Sequence, residues 1–185
     1  MPKVLAIVGM PGSGKSAVSR HIKKIGYSVV RLGDLVDVEI EKQDLRSGED
    51  SERRVRESLR KEYGMDAFAR LSKDRIDSAL EKHEKSGVVI DGLYSMQEYD
   101  FFKEAYGCDL QVIAIYASPK TRHARLASRK VRVIPPRKSL ERDYAEIKNL
   151  NKGGPIALAD YTIINEGTAQ ELCSAIDAVI KAISE

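Results

Sequence analysis

The chain has 185 residues, of which 42% are hydrophobic, and its formal net charge is +3. This length and composition predict one compact domain and exclude a disordered or fibrous protein. The longest apolar run, Val112 to Ala117, is far shorter than the roughly 20 residues that a membrane-spanning helix needs. We therefore expect a cytoplasmic protein that makes no contact with a membrane.

Five short β-branched runs predict strands, and helical patterns separate them. The runs are Val4 to Val8, Tyr27 to Arg31, Val88 to Asp91, Gln111 to Tyr116 and Tyr161 to Ile164. Most are apolar at consecutive positions, which is typical of strands covered on both faces of a parallel sheet. The last helix has the clearest start, because Thr168 and Glu171 have the spacing of a capping box. This alternation predicts an α/β sandwich whose ligands collect at the carboxyl ends of the strands.

Two charged stretches do not fit the alternation of strands and helices. They cover about residues 34–64 and 128–151, and neither has enough apolar residues to form a core of its own. We interpret both as helical or loop excursions over the active face. The whole chain, residues 1–185, is thus predicted to be a single domain.

The first predicted strand leads directly into a complete phosphate-binding loop pattern, GxxxxGK[ST]. Its glycines allow the backbone amides to turn around an anion, and the helix that follows offers its positive N-terminal end. The lysine of such a loop reaches the β- and γ-phosphates, and the serine hydroxyl can bind Mg²⁺. We predict that the nucleotide is bound by Gly9, Met10, Pro11, Gly12, Ser13, Gly14, Lys15 and Ser16.

Two carboxylates follow predicted strands and are candidates for the chemistry. Asp91 ends the third strand, where a Walker B aspartate holds the metal, so we predict that Asp91 and Ser16 bind Mg²⁺. Asp34 follows the second strand. Either aspartate could instead be an ordinary helix N-cap.

The positive charge is concentrated in one segment. Between Asp109 and Glu141 there are eight basic residues and no acidic one, which leaves a net charge of −5 on the rest of the chain. Arg122, Arg125 and Arg129 share one face of the predicted helix and could clamp nucleotide phosphates. A solvated basic helix is the alternative. Nucleic-acid binding is disfavoured, because no aromatic residues are interleaved with these charges.

At this point the sequence resembles a known family, the P-loop kinases of small molecules. It is similar to adenylate kinase and dephospho-CoA kinase, and most similar to an archaeal dephospho-CoA-kinase-related family. The resemblance covers nearly the whole chain and includes the segments GMPGSGKS, RLGD, YGM, VIDG, ASPKTRHARLASR, RD and IALADYTIINEG.

The resemblance implies a five-stranded parallel sheet in the order 2-3-1-4-5. Lys15 and Ser16 would hold ATP and Mg²⁺, and Asn165 would lie beside the adenine pocket. The lid would begin at Arg125 and Arg129 and would contain Arg142. The acceptor would bind between Asp34, the first charged stretch and Asp91.

The sequence departs from adenylate kinases at the acceptor. An arginine that grips the acceptor phosphate is replaced by Asp37, and Leu93-Tyr94-Ser95 stand where a second is expected. An acidic residue would repel a monophosphate. We therefore favour a hydroxyl acceptor similar to dephospho-CoA, with Asp34 as the base that takes its proton.

Two other functions remain open from the sequence, a nucleoside monophosphate kinase and an ATP-dependent regulatory switch. The predicted partners are ATP and a small phosphate acceptor, and the oligomeric state is left open. The residues predicted to be catalytic are Lys15, Asp34, Arg125, Arg129 and Arg142.

Overall fold

The computed structural model describes residues 4–46, 48–83, 87–130 and 133–184. The strands are β1 (Val4–Val8), β2 (Ser28–Arg31), β3 (Val88–Asp91), β4 (Leu110–Tyr116) and β5 (Tyr161–Ile164). The helices are α1 (Lys15–Lys24), α2 (Asp34–Lys42), α3 (Glu49–Tyr63), α4 (Ala67–Lys82), α5 (Met96–Tyr106), α6 (Pro119–Ala127), α7 (Pro136–Leu150), α8 (Gly153–Ala157) and α9 (Ala169–Ser184). A short 3-10 turn, Gly107–Asp109, precedes β4.

The strands form one parallel sheet in the order β2-β3-β1-β4-β5, so the predicted topology is confirmed. Each strand begins and ends within one residue of its predicted limits. The register places Asp91 of β3 opposite Ile7 of β1. As a result, Asp91 lies at the same edge of the sheet as the loop that follows β1.

Both faces of the sheet are buried, which explains the unbroken apolar runs. Val4, Ala6 and Val8 point into a core formed with α2, α3, α4 and α5. Leu5 and Ile7 point into a second core formed with α1 and α9. Each of these five side chains is at most 1% exposed. Alternation along a strand thus supplies both layers of the sandwich.

Helix starts follow the local sequence signals. Ser118 caps α6, with Pro119 in the first turn, and the predicted capping box of Thr168 and Glu171 is confirmed at the start of α9. Val18, Ile22 and Ile25 recur at helical spacing, but α1 ends at Lys24, so Val18 and Ile22 are buried whereas Ile25 is 47% exposed.

The two charged stretches form helices at the carboxyl edge of the sheet. The first folds as α2 and α3, which contact each other, and the second contains α7, which packs against α6. Positions 131 and 132 of the predicted lid lie outside the described residues. Val36 of α2 and Val55 of α3 join the core under the sheet. Across the described ranges, no helix has the length and apolar character to cross a membrane.

Candidate active site

The loop between β1 and α1 is a tightly packed backbone cradle. Gly12 and Gly14 have φ values of +81° and +114°, a region that residues with a side chain rarely adopt. A Cβ atom on Gly14 would lie 2.4 Å from the Asn165 amide nitrogen, and one on Gly9 would lie 2.4 Å from the Ile115 carbonyl oxygen. The loop therefore needs glycine both for its conformation and for its close approach to β4 and to the end of β5.

Lys15 points back into this cradle. Its Nζ atom donates hydrogen bonds to the carbonyl oxygens of Gly9, at 2.8 Å, and Met10, at 3.1 Å. Burial, reinforced by the nearby charge of Lys152, lowers the pKa of Lys15 to about 7. A bound phosphate would restore the charge of this amine, because an adjacent anion favours the protonated form. The lysine is thus placed for an anionic ligand.

Two tertiary contacts hold the loop in place. The Asn165 side-chain amide donates to the Ser13 carbonyl oxygen at 2.7 Å. Arg122 donates to the Pro11 carbonyl oxygen at 3.1 Å and forms a bidentate pair with Asp143 of α7, with both distances 2.8 Å. Arg122 is only 5% exposed. Arg122 therefore links the loop to α7. This position differs from the expectation that Arg122 belongs to a row of phosphate-binding arginines.

The two other arginines of that row have different surroundings. The Arg125 guanidinium donates to the carbonyl oxygens of Asn165, at 2.9 Å, and Gly167, at 3.2 Å. It thereby stabilises the turn between β5 and α9. Arg129 is exposed and lines the cleft beside the phosphate-binding loop. The structure thus brings Arg129 to the cleft, whereas the guanidinium of Arg125 contacts the turn.

This cleft is a cavity of about 870 Å³ that opens from the phosphate-binding loop. Its volume lies in the range of small-molecule sites. Lys15 and Ser16 line part of it, and the other lining residues include side chains from α2, α3 and α7. Asp91 is half-buried at the end of β3, and its charge acts on Lys15. The phosphate-binding loop and helices from both charged stretches therefore face one shared space.

Buried charges from α7 and the residues after it lie close to Lys15. Lys152 is 1% exposed, and its Nζ atom lies 2.6 Å from Glu146 Oε2 and 5.1 Å from the centre of the Tyr94 ring. Arg142 Nε donates to Glu146 Oε1 at 3.1 Å. Burial alone would raise the pKa of Glu146, but Lys152 and Arg142 outweigh it and hold the pKa at about 2. The ionised Glu146 thus holds two cations beside the loop.

The predicted base, Asp34, is engaged by two arginines. Its Oδ1 atom accepts from Arg31 Nε at 2.7 Å, and its Oδ2 atom accepts from Arg75 Nη2 at 3.0 Å. Arg31 also pairs with Asp37, which lines the cleft. The expected repulsion between Asp37 and an anionic acceptor is therefore offset by a cation in direct contact with it.

Several cleft residues were missed by the sequence interpretation. Arg53, Arg56 and Arg60 of α3 all line the cleft, and their spacing of three and four residues is the same signal that α6 carries. Glu146 follows Arg142 by four residues, a spacing that predicts an ion pair on a helix. No sequence spacing indicates that Lys152 lies in the cleft. Its neighbours there, the Tyr94 ring and Lys15, are distant from it in the sequence.

The donor chemistry of the loop fits a magnesium ion. Among the described residues there is no cluster of three or more His, Cys, Asp or Glu side chains that could hold a metal. Mg²⁺ does not require one, because it uses one or two protein oxygens together with water and substrate phosphates. Ser16 and Asp91, at the edge of the cradle, offer a hydroxyl and a carboxylate of the required type.

The sheet order and the loop define a protein with the P-loop kinase fold. The chain belongs to the AAA domain family, whose match extends over residues 5–149, and to the UPF0200 family. It is 33% identical over 183 residues to the UPF0200 protein PYRAB09750 of Pyrococcus abyssi, covering 97% of this chain and 96% of that one. A UPF0200 protein of Methanococcus maripaludis is 34% identical over 184 residues, covering 98% and 97% of the two chains.

Solved structures share the fold at lower sequence identity. TT1252 from Thermus thermophilus matches with a TM-score of 0.62 and 19% identity, over 98% of this chain and 97% of that one. Shikimate kinase from Aquifex aeolicus matches with a TM-score of 0.57 and 19% identity, over 98% of each chain. The predicted P-loop kinase class is therefore confirmed at the level of the fold, and the relation to dephospho-CoA kinase stays a prediction.

Proposed function

We propose that this protein is a kinase that transfers the γ-phosphoryl group of ATP to a hydroxyl group of a small acceptor, with a dephospho-CoA-like acceptor favoured. One observation carries the proposal: the phosphate-binding loop opens into a cavity of about 870 Å³ whose remaining walls include α2, α3 and α7. A nucleotide on the loop and a second small molecule against those helices would meet in one cleft, as direct transfer requires.

On the nucleotide side, the loop amides and Lys15 would hold the phosphates of ATP. Ser16 and Asp91 would hold Mg²⁺, which offsets the phosphate charge when it is bound. Arg142 and Lys152 line the cleft near Lys15 and would stabilise the charge that spreads over the transferred group. Asn165 would act chiefly by holding the Ser13 carbonyl and thus the shape of the loop.

On the acceptor side, the hydroxyl oxygen would form a bond to the γ-phosphorus while the bond from that phosphorus to the ADP oxygen breaks. The hydroxyl proton would pass to the Asp34 carboxylate. Arg31 and Arg75 hold this carboxylate in a fixed orientation, and Gly33 and Asp37, on either side of it, line the cleft. Arg125 and Arg129 are proposed to act when the lid segment closes over the phosphates.

The test is a panel of acceptors incubated with ATP and Mg²⁺, with products detected by mass spectrometry. The panel contains dephospho-CoA, hydroxy acids and sugar acids, ribonucleosides and nucleoside monophosphates. A phosphorylated product with the native protein and none with Lys15→Ala supports the proposal. Product from nucleoside monophosphates alone favours the adenylate-type alternative. Nucleotide binding without product from any acceptor favours a regulatory switch.

The base is tested separately once an acceptor is known. We expect Asp34→Asn to lower kcat by about 100-fold or more, the contribution typical of general base catalysis, with little change in the KM for ATP. An Asp44→Asn variant is the control, because Asp44 is an exposed residue after the end of α2. Unchanged turnover in Asp34→Asn would show that Asp34 is not the base. The proposal that the protein transfers a phosphoryl group would not be affected.

A further inference from the structure

Arg60 differs from other arginines of the cleft in its hydrogen bonds. Arg31, Arg56 and Arg142 each donate to at least one carboxylate. Arg60 lines the same cleft, yet its Nε and Nη2 atoms are buried and have no hydrogen-bond partner among the described residues. Buried polar groups are normally paired, so two unpaired donors on one guanidinium call for an explanation.

The surroundings hold the Arg60 guanidinium in place without using these donors. Its central carbon lies 4.9 Å from the centre of the Phe68 ring, a cation–π distance. Burial lowers the pKa of Arg60, and the charge of the buried Glu98 opposes that change. The Phe68 ring thus holds the guanidinium, which is charged at all ordinary pH values, at the wall of the cleft with these two donors unused.

The two unused donors lie on one edge of the guanidinium group. Nε–H and one N–H of Nη2 are parallel in this planar group, and their spacing matches two oxygens of a carboxylate or a phosphate. An anion bound there would satisfy both donors at once. Met65, Phe68 and Tyr94 line the same cleft and would contact the carbon skeleton of such a ligand.

We propose that the acceptor carries an anionic group, a carboxylate or a phosphate, which the Nε and Nη2 edge of Arg60 binds in the cleft. This inference rests on the proposed function, and it narrows the acceptor to a hydroxylated anion. Arg60 would supply an arginine for the acceptor anion, although the two positions expected from adenylate kinases lack one. The residue comes from α3, and not from the positions after β2 and β3 at which adenylate kinases carry theirs.

Anion binding is measured on the full-length protein with the phosphate-binding loop filled by saturating ADP and Mg²⁺. Inorganic phosphate and acetate are titrated in separate experiments, and the Nε–H signals of the arginines are followed by NMR. We expect a saturable shift of one arginine signal that is missing from Arg60→Gln, and at least a tenfold loss of anion affinity in that variant. Arg54→Gln is the matched control, because Arg54 is exposed on the same helix and is not among the residues that line the cleft.

Binding of phosphate alone supports a phosphorylated acceptor, and binding of acetate supports a carboxylate. No saturable binding by the native protein, or equal binding by Arg60→Gln, overturns the proposal. If Arg60→Gln does not fold, Arg60→Lys decides, because lysine keeps the charge and lacks the two parallel donors. At least a threefold loss is expected there, and unchanged affinity overturns the proposal.

The two proposals fail in different ways. Anion binding at Arg60 is measured without turnover. A loss of anion binding in Arg60→Gln would therefore support the anion subsite even if no acceptor were phosphorylated. Conversely, Arg60→Gln could phosphorylate the acceptor with the same acceptor KM as the native protein. That result would support the kinase activity and contradict the anion subsite.

Discussion

The phosphate-binding loop and the charged walls of the cleft, on α2, α3 and α7, are built by different means. The loop is made of backbone, and its glycines approach the Ile115 carbonyl and the Asn165 amide too closely for any side chain. The charged walls are made of long side chains that pair between helices, as Arg142 of α7 does with Glu49 of α3. Packing therefore fixes the first region, whereas ion pairs shape the second.

The largest effect is expected where the charged walls are most buried. Glu146→Gln leaves Lys152 and Arg142 without their shared carboxylate, and breaking a buried ion pair costs about 3–5 kcal/mol. We expect a loss of this size in the free energy of unfolding, measured by chemical denaturation. Glu141→Gln is the control on the same helix, because its pair with Arg137 is exposed and contributes less than about 1 kcal/mol. Equal losses in the two variants would contradict the buried network.

A second test addresses the packed loop. In Gly14→Ala the new Cβ atom meets the Asn165 amide nitrogen at 2.4 Å, so loop and side chain must separate. Because a hydrogen bond to a charged group is worth about 1.5–3 kcal/mol, displaced loop amides should lower the nucleotide affinity by about 10- to 100-fold, measured by calorimetry. Gly26→Ala is a matched control: its φ of +105° is similar, but a Cβ atom would meet nothing within 4 Å. The control should lose about 1–2 kcal/mol of stability and keep its nucleotide affinity.

The same contrast explains what the sequence could predict. The loop and the five strands depend on residues that are adjacent in the chain, so GxxxxGK[ST] and the apolar runs identified them. The charged walls depend on pairs such as Asp34 with Arg75, which are 41 residues apart. The charged residues of α3 are equally typical of a solvated surface, and only the fold shows that Arg60 is turned into the cleft and Arg122 into the loop.

A third test uses the pKa of Lys15, which burial lowers to about 7. Bound phosphates favour the charged amine, so nucleotide binding above pH 7 must take up a proton. The affinity for ADP and Mg²⁺ should therefore be flat below the free pKa and fall by up to about tenfold per pH unit above it. Calorimetry in two buffers of different ionisation enthalpy measures the proton uptake directly. An affinity that does not change above about pH 7.5, where the phosphates are fully ionised, would contradict the lowered pKa.

The smallest effect is expected at the contact between α3 and α7. Glu49 is 47% exposed and pairs with Arg142 at 3.1 Å, and exposed pairs of this kind contribute about 0–1 kcal/mol. Glu49→Gln should therefore change the free energy of unfolding by less than about 1 kcal/mol, and the difference should vanish at about 1 M salt. A weak contact would let α7 separate from α3 while Glu146 keeps Arg142 and Lys152 in place. A loss above about 2 kcal/mol would instead show that the contact between α3 and α7 is a fixed part of the fold.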